Sequence, residues 1–351
     1  MHAEGHFLDE AGRPLERRGF EIPAPGPGEA VVAVTACGLC HTDLGFADGS
    51  VAPKHELPLV LGHEVTGRVV EAGSQVADLA DRPVLVPAVL PCGDCPFCRA
   101  GRSNACPRQR MPGNDVHGGF ATHLLVPGAP LVPLDEAPPG TNLAALSVVA
   151  DAVSTAYQAV RRSGLQSGDL AAVVGTGGVG GFVVQVARAL GATVFACDVS
   201  SDRLSRVVEP GERAVDVSGR EARDVRRELR EVAREADIPS FRLRIFECSG
   251  TPGGQQLAFG LLDRGSTLVQ VGFTPAKGSF RLSNLMAFDA TVHGTWGCPP
   301  DAYPAVLDLI FRGRIDLDPF IEEAPMSELN ALLGAMAAHR LTRRMVLLPE
   351  A

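Results

Sequence analysis

Cys92, Cys95, Cys98 and Cys106 form a C-x-x-C-x-x-C-x(7)-C run in PCGDCPFCRAGRSNAC, a stretch rich in Gly, Pro and polar residues that reads as a loop. Four thiolates at such spacing can close a tetrahedron around one zinc ion. A closed four-sulfur site leaves no position for substrate, so its expected work is to brace a surface lobe while chemistry happens elsewhere. The competing arrangement is two disulfides. That arrangement needs an oxidising compartment, and nothing else in the sequence marks one.

A second set of candidate ligands is dispersed: Cys40 in CGLCHTD, His63 and Glu64 in LGHEVTG, and Asp151 in SVVADAVSTAYQA. Each alone is ordinary, since a lone cysteine is more often core and a lone histidine more often a satisfied structural residue. Cys37 is read as core. A third signal is Gly175-Thr176-Gly177-Gly178-Val179-Gly180, which follows the apolar run LAAVVG and opens VGGFVVQVARALG. In that strand-turn-helix context Gly175 permits the tight turn, Gly177 lets a pyrophosphate approach the backbone, and Gly180 lets helix pack on strand. The helix start then offers amide donors and a positive dipole end to phosphate. Asp198 ends the next apolar run, 23 residues after Gly175. A carboxylate there can accept both adenosine ribose hydroxyls and repel a 2'-phosphate, so NAD is expected over NADP. Arg203, just beyond, is expected on the adenosine side.

These groups need elements to hold them. Residues 21–35, EIPAPGPGEAVVAVT, pass from a turn-rich stretch into an apolar strand, and LVLGHEVTGRVVEAG and RPVLVPAVL continue as short strands punctuated by Gly and Pro. From about residue 152 the pattern alternates helix and strand, through AVSTAYQAVRRSG, LAAVVG, TVFACD, RIFECSG and STLVQVG, which predicts a parallel sheet. The C-terminal HGTWGCPPDAYPAVLDLIFRG and RRMVLLPE read as a return to the first domain. At 351 residues two domains are expected. They are placed at 1–151 with 297–351, and at 152–296.

Taken together, the GHE element, the four-cysteine lobe, the glycine run and D-x-x-S-T-A-Y resemble the zinc-containing alcohol dehydrogenases of the medium-chain dehydrogenase/reductase superfamily, over essentially the whole chain. The resemblance implies an α/β fold: a GroES-like β-rich catalytic domain interrupted by a doubly wound Rossmann domain, with the active site in the cleft between them. It implies a catalytic zinc on Cys40, His63 and Asp151, with Glu64 as an adjacent or alternating ligand and the four cysteines holding a structural zinc, two ions per subunit. Asp151 stands where many relatives have a second cysteine, and its harder oxygen should leave the zinc more Lewis acidic. The implied reaction is removal of an alcohol proton and transfer of hydride to the nicotinamide. Thr42 matches the hydroxyl that begins the proton relay. Gly45 lies near the place where many relatives continue that relay with a histidine, and His41 is the nearest substitute. His117 is given no role.

The stretches MPGNDVHGGFATHLLVP, SVVADAVSTAYQA, IFECSG, RLSNLMAF and TWGCPPDAYPAVLDL resemble a narrower group, the 6-hydroxycyclohex-1-ene-1-carbonyl-CoA dehydrogenases of benzoyl-CoA degradation. This implies oxidation of a ring alcohol to the 6-oxo thioester with NAD; because one zinc and one hydride donor could also serve a conjugated dienoyl thioester, 1,4-hydride reduction of a cyclic dienoyl-CoA is hypothesised as a second activity. A CoA ester needs cations at the pocket mouth, and Lys277, Arg281, Arg340, Arg343 and Arg344 are the candidates. Trp296 and the prolines of GCPP could shape a ring pocket, or simply pack. Two other readings stand beside this one: a dehydrogenase of small free secondary alcohols or polyols, and a non-catalytic NAD- and zinc-binding protein. Net charge is -9, which argues against nucleic acid as a partner. The first residues carry charges and no apolar leader core, and no uninterrupted apolar run is long enough to span a bilayer. A soluble cytoplasmic homodimer or homotetramer is expected, with Rossmann sheets joined edge to edge.

Overall fold

The computed structural model describes residues 1–350 and divides into two compact units. The first comprises Met1–Ser154, Gly297–Phe311 and Leu317 onward; the second comprises Thr155–Trp296 and Arg312–Asp316.

In the first unit a seven-stranded sheet runs in the order Ile321–Pro325, Arg344–Leu348, Glu29–Gly38, Glu64–Ala72, Pro83–Val86, Val132–Pro133, with His123–Pro127 also paired to Glu29–Gly38. A smaller antiparallel sheet joins Glu16–Glu21, His2–Leu8 and Leu59–Val60. The central strand EAVVAVTACG pairs with Glu64–Ala72 through two register irregularities, at Val31/Val32 and Val34/Ala36. Such bulges add local twist and bend the strand, which lets the sheet close around its core. That core is built from Val32, Leu39, Leu61, Val65, Val86, Phe120 and Leu347, all buried.

Strand register brings two ligand segments together. Gly38 lies opposite Glu64, so Cys40, two residues past the end of one strand, and His63, one residue before the start of the other, meet at the same edge of the pair. Gly62 makes the turn into His63 with φ +95°, and a Cβ there would lie 2.8 Å from Cys37 Sγ and 2.9 Å from Phe120 N. Only glycine suits both that conformation and that space. Asp151 arrives from a third direction, between the buried 3-10 turn Ala145–Ala150 and the helix Ala152–Ser163. Its approach is pinned through the preceding carbonyl: Ala150 O accepts from Tyr303 Oη at 2.6 Å, Ala88 N at 3.1 Å and Ser154 Oγ at 3.3 Å.

The second unit is a six-stranded parallel sheet ordered Arg213–Asp216, Thr193–Asp198, Leu170–Val174, Leu243–Glu247, Thr267–Gln270, Thr291–Gly294. Numbered by chain position this is 3-2-1-4-5-6, the doubly wound Rossmann order, with the topological switch beside the strand that feeds the glycine turn. Every residue of that first strand is buried, as a central parallel strand covered on both faces must be. The following helix, Gly180–Ala189, is buried from Gly180 to Ala187. The fold is thus the GroES-like β-rich domain plus Rossmann sheet that the sequence implies.

Candidate functional site

The four lobe cysteines lie with Sγ–Sγ separations of 3.4 Å (Cys95–Cys98), 3.5 Å (Cys92–Cys106), 3.7 Å (Cys95–Cys106) and 3.9 Å (Cys92–Cys98). A disulfide requires about 2.05 Å. A tetrahedron with zinc–sulfur bonds of about 2.3 Å has edges of roughly 3.8 Å, so the observed cage fits one zinc ion and all four thiols are free. Crowding splits their acidities. The Cys98 amide N–H holds Cys95 down to about 6, whereas the hydrogen bond with Asp94 pushes Cys92 up to about 12. Four thiolates this close need a cation to coexist.

At the second cluster, the ligating atoms of Cys40, His63, Glu64 and Asp151 lie within 4.8 Å of one another. His63 is fully enclosed, with Nδ1 3.1 Å from Asp43 Oδ1. That contact places the ring proton on Nδ1 and leaves the Nε2 lone pair facing inward. Nε2 is buried without a hydrogen-bond partner, 3.6 Å from Asp151 Oδ2. Cys40 Sγ stands 3.9 Å from the same oxygen. An unpaired imidazole nitrogen, a thiol and a carboxylate converging on one point is the donor set of a zinc site with an open position. Burial works against a charge on His63, yet Asp43 and Asp151 overcome it and raise its pKa well above the ordinary imidazole value. The surroundings therefore favour a cation at this point.

Asp43 escapes a motif-based reading, although its position three residues after the helix-capping Cys40 is a local signal for it. Its Oδ2 accepts from Cys40 N at 3.0 Å, while Oδ1 accepts from Gly62 N at 3.1 Å besides facing His63. Arg344 is the second residue whose role the sequence misplaces. Its guanidinium is buried and paired with Glu64 on both oxygens, Nε to Oε2 at 2.7 Å and Nη2 to Oε1 at 2.6 Å. Arg344 is thus withdrawn from the CoA-phosphate candidates, because taking it away would leave a buried carboxylate unpaired. Glu64 Oε1 also accepts from Ala152 N at 3.1 Å, so the carboxylate is held beside the other donors by its own partners. Burial raises the Glu64 pKa, with Arg344 opposing. Thr42 Oγ1 lies 3.7 Å from Cys40 Sγ, half-buried at the edge of the cluster; His41 is exposed, and Cys37 is core. Lys277, Arg281, Arg340 and Arg343 are exposed, as is Trp296.

In the second unit Gly175 has φ +87°, and a Cβ there would meet Ser249 N and Cα at 2.6 Å. A Cβ on Gly180 would run into the Gly175 carbonyl, whereas the space above Gly177 is open except for Arg203 Nη1 at 3.9 Å. Tight turn, open approach and close packing thus fall on the three glycines in the order a dinucleotide needs. Asp198 Oδ2 accepts from Thr176 N at 2.7 Å and Thr176 Oγ1 at 3.1 Å, and Oδ1 accepts from Ser200 N at 3.0 Å. Of roughly four acceptor positions on a carboxylate, about one remains, so gripping both ribose hydroxyls requires the Thr176 hydroxyl to turn away. Arg203 Nη1 stands 3.9 Å from Asp198 Oδ1. Gly178 and Val179 complete the turn.

Residues 26–136 match the family model described as alcohol dehydrogenase GroES-like domain, and residues 178–312 that described as zinc-binding dehydrogenase. The chain is 31% identical to the L-galactonate-5-dehydrogenase of Escherichia coli (strain K12) over 300 residues, 85% of this chain and 84% of the relative. It belongs to the zinc-binding alcohol dehydrogenase family. An alcohol dehydrogenase of Geobacillus stearothermophilus is 29% identical over 97% of both chains. Among solved structures, the alcohol dehydrogenase TADH from Thermus sp. ATN1 superposes with TM-score 0.83 at 26% identity, covering 99% of this chain and 100% of that one. A zinc-binding dehydrogenase from Sinorhizobium meliloti 1021, described as bound to NADP, gives 0.84 at 26% identity with 99% and 100% coverage. No described helix of this dehydrogenase is long and apolar enough to cross a membrane.

Asp43→Asn preserves shape but removes the charge that orients His63. It is expected to weaken zinc at the second cluster about 10- to 100-fold and to spare the cysteine cage. Elemental analysis after dialysis against a competing chelator should then find close to one zinc per subunit, against close to two in the unaltered dehydrogenase.

Proposed function

We propose that this dehydrogenase oxidises a secondary alcohol with NAD, at the cluster of Cys40, His63 and Asp151. The observation that carries this reading is the buried, unpartnered Nε2 of His63 facing Cys40 and Asp151, in a chain that also carries the glycine cradle and Asp198. Zinc supplies Lewis acidity that makes an alcohol hydroxyl acidic near neutral pH, and NAD supplies the hydride acceptor. The chain's own residues do the rest. Cys40, His63 and Asp151 are the ligands, Asp43 fixes the His63 ring, and the Glu64–Arg344 pair keeps a neutral wall beside them. Thr42 Oγ1 is the group placed to accept the hydroxyl proton. Asp198 holds the adenosine ribose and disfavours a 2'-phosphate, with Arg203 beside it.

The finer reading is a cyclic acyl-CoA alcohol, 6-hydroxycyclohex-1-ene-1-carbonyl-CoA, with 1,4-reduction of cyclic dienoyl-CoA as the companion reaction. Its support is the sequence resemblance of the five stretches quoted above, together with four exposed cations, Lys277, Arg281, Arg340 and Arg343, available to phosphate. A free secondary alcohol or polyol is the second reading. It is favoured by similarity to relatives named for alcohol and L-galactonate oxidation. Self-association is proposed through Thr291–Gly294, the last strand of the second unit's sheet, whose outer edge pairs with no other described strand. Exposed Val292, with Leu282 and Met286 in the segment leading to it, gives that edge an apolar border.

Three outcomes are expected. NADH should form with the CoA thioester and not with the matching free acid or simple secondary alcohols; the reverse pattern would move the assignment to free alcohols. Asp198→Ala should lower the ratio of NAD to NADP turnover, and an unchanged ratio would remove Asp198 from cofactor choice. Val292→Lys should shift the sedimenting species toward monomer, whereas an unaltered oligomer would place the interface elsewhere.

A further inference from the structure

The IFECSG segment ends the Leu243–Glu247 strand on a glutamate that none of the roles above employs. Glu247 is fully buried. Its Oε1 accepts from Ser249 N at 2.8 Å, Ser249 Oγ at 2.5 Å and Gly250 N at 3.2 Å, and its Oε2 accepts from Gln270 Nε2 at 2.6 Å. Its main-chain carbonyl accepts from Val271 N at 2.9 Å and Gly272 N at 2.8 Å. The side-chain partners are amide, hydroxyl and carboxamide donors, so hydrogen bonding alone offsets the cost of placing a carboxyl group out of water.

These bonds hold together the floor of the glycine cradle. A Cβ on Gly175 would strike the Ser249 backbone, one on Gly180 would come within 3.0 Å of Cys248 Cβ, and one on Gly272 would meet Gly250 N and stand 2.7 Å from Glu247 Oε2. The glycine turn, the 248–250 turn and the 271–272 segment are therefore pressed together. Glu247 bonds the last two directly, and Ser249 carries its hold to the first. Gln270 Nε2 also donates to Gly272 O at 2.7 Å, so the carboxamide held by Glu247 Oε2 is itself fastened to the third segment.

We propose that Glu247 is a positioning residue for the dinucleotide, setting the spacing of the three loop backbones that receive it; this rests on the NAD reading above. Glutamine at 247 keeps size and shape, and its oxygen can still face Ser249 and Gly250. Its amide nitrogen then opposes the Gln270 amide nitrogen, donor against donor, and the 270–272 segment has to move. Glu247→Gln is expected to raise the NADH dissociation constant about tenfold or more, read from the fluorescence of bound NADH in the zinc-replete protein. The KM for NAD should rise with it, while the KM for the alcohol and the zinc content stay as in the unaltered protein.

A purely structural role would lower the melting temperature without moving the NADH constant or splitting the two KM values, and that result would overturn the proposal. If Glu247→Gln does not fold, Gln270→Met and Ser249→Ala decide the matter: each removes one partner and leaves Glu247 in place. Weaker NADH binding in both supports the proposal, and unaltered binding in both overturns it. Failure of the unaltered protein to bind NADH would be a different result, removing the cofactor reading and this inference with it.

Discussion

The arrangement of the first unit depends on one buried carboxylate. Asp43 accepts from the amide of Cys40 and the amide of Gly62, and it faces Nδ1 of His63. It thereby ties Cys40, two residues past one strand, to the turn before the other, and it leaves a single nitrogen of His63 for metal. Low-dielectric surroundings make this economical only if every acceptor position is used and a cation balances the acidic groups nearby. The same reasoning explains Arg344. A buried glutamate next to a thiol and a second carboxylate cannot stay charged alone, and a bidentate arginine from the last strand supplies the countercharge.

The second unit solves a different problem, that of clearing backbone so that a large anion can lie on it. Its solution is to remove side chains where loops touch and to bond what remains. Gly175, Gly180 and Gly272 each occupy space that a Cβ would take from a neighbouring main chain. Asp198 is spent partly on the same task, since Thr176 and Ser200 hold it at the mouth of the turn. Preorganised donors of this kind recognise phosphate without reorganising at the moment of binding. Of the acidic groups near them, Glu247 accepts from neutral donors, whereas Asp198 accepts from Thr176 and Ser200 and also has Arg203 3.9 Å away.

Much of both units was legible from residue order. The four-cysteine spacing pointed to its metal because ligands close in sequence must be close in space, and disulfide pairing then fails on the Sγ–Sγ separations of the structure. The alternation of apolar strand and helix after residue 152 was equally local, the central strand Leu170–Val174 being buried on both faces and therefore uniformly apolar. Arg344 was misread for an equally physical reason. In the run Arg343–Arg344 the first side chain is exposed in the bend before the last strand and the second, at that strand's first residue, is buried against Glu64, and composition cannot say which. Glu247 was legible only as part of the IFECSG stretch and not as a residue with a role, because its partners are two main-chain amides, a hydroxyl and a carboxamide, none of which marks a site in sequence.

By itself, the sequence determined which groups are present and which of them are locally constrained: the sulfur cage, the glycine turn with an acid at the end of the next strand, and the Cys40–Asp43 spacing at a helix start. Tertiary structure alone decided which distant groups share one charge balance. Glu64 and Arg344 lie 280 positions apart in the chain, and Cys40 and Asp151 lie 111 apart. Strand register and a pinned 3-10 turn bring them together, and electrostatics at a few ångströms in a dry interior then assigns their work.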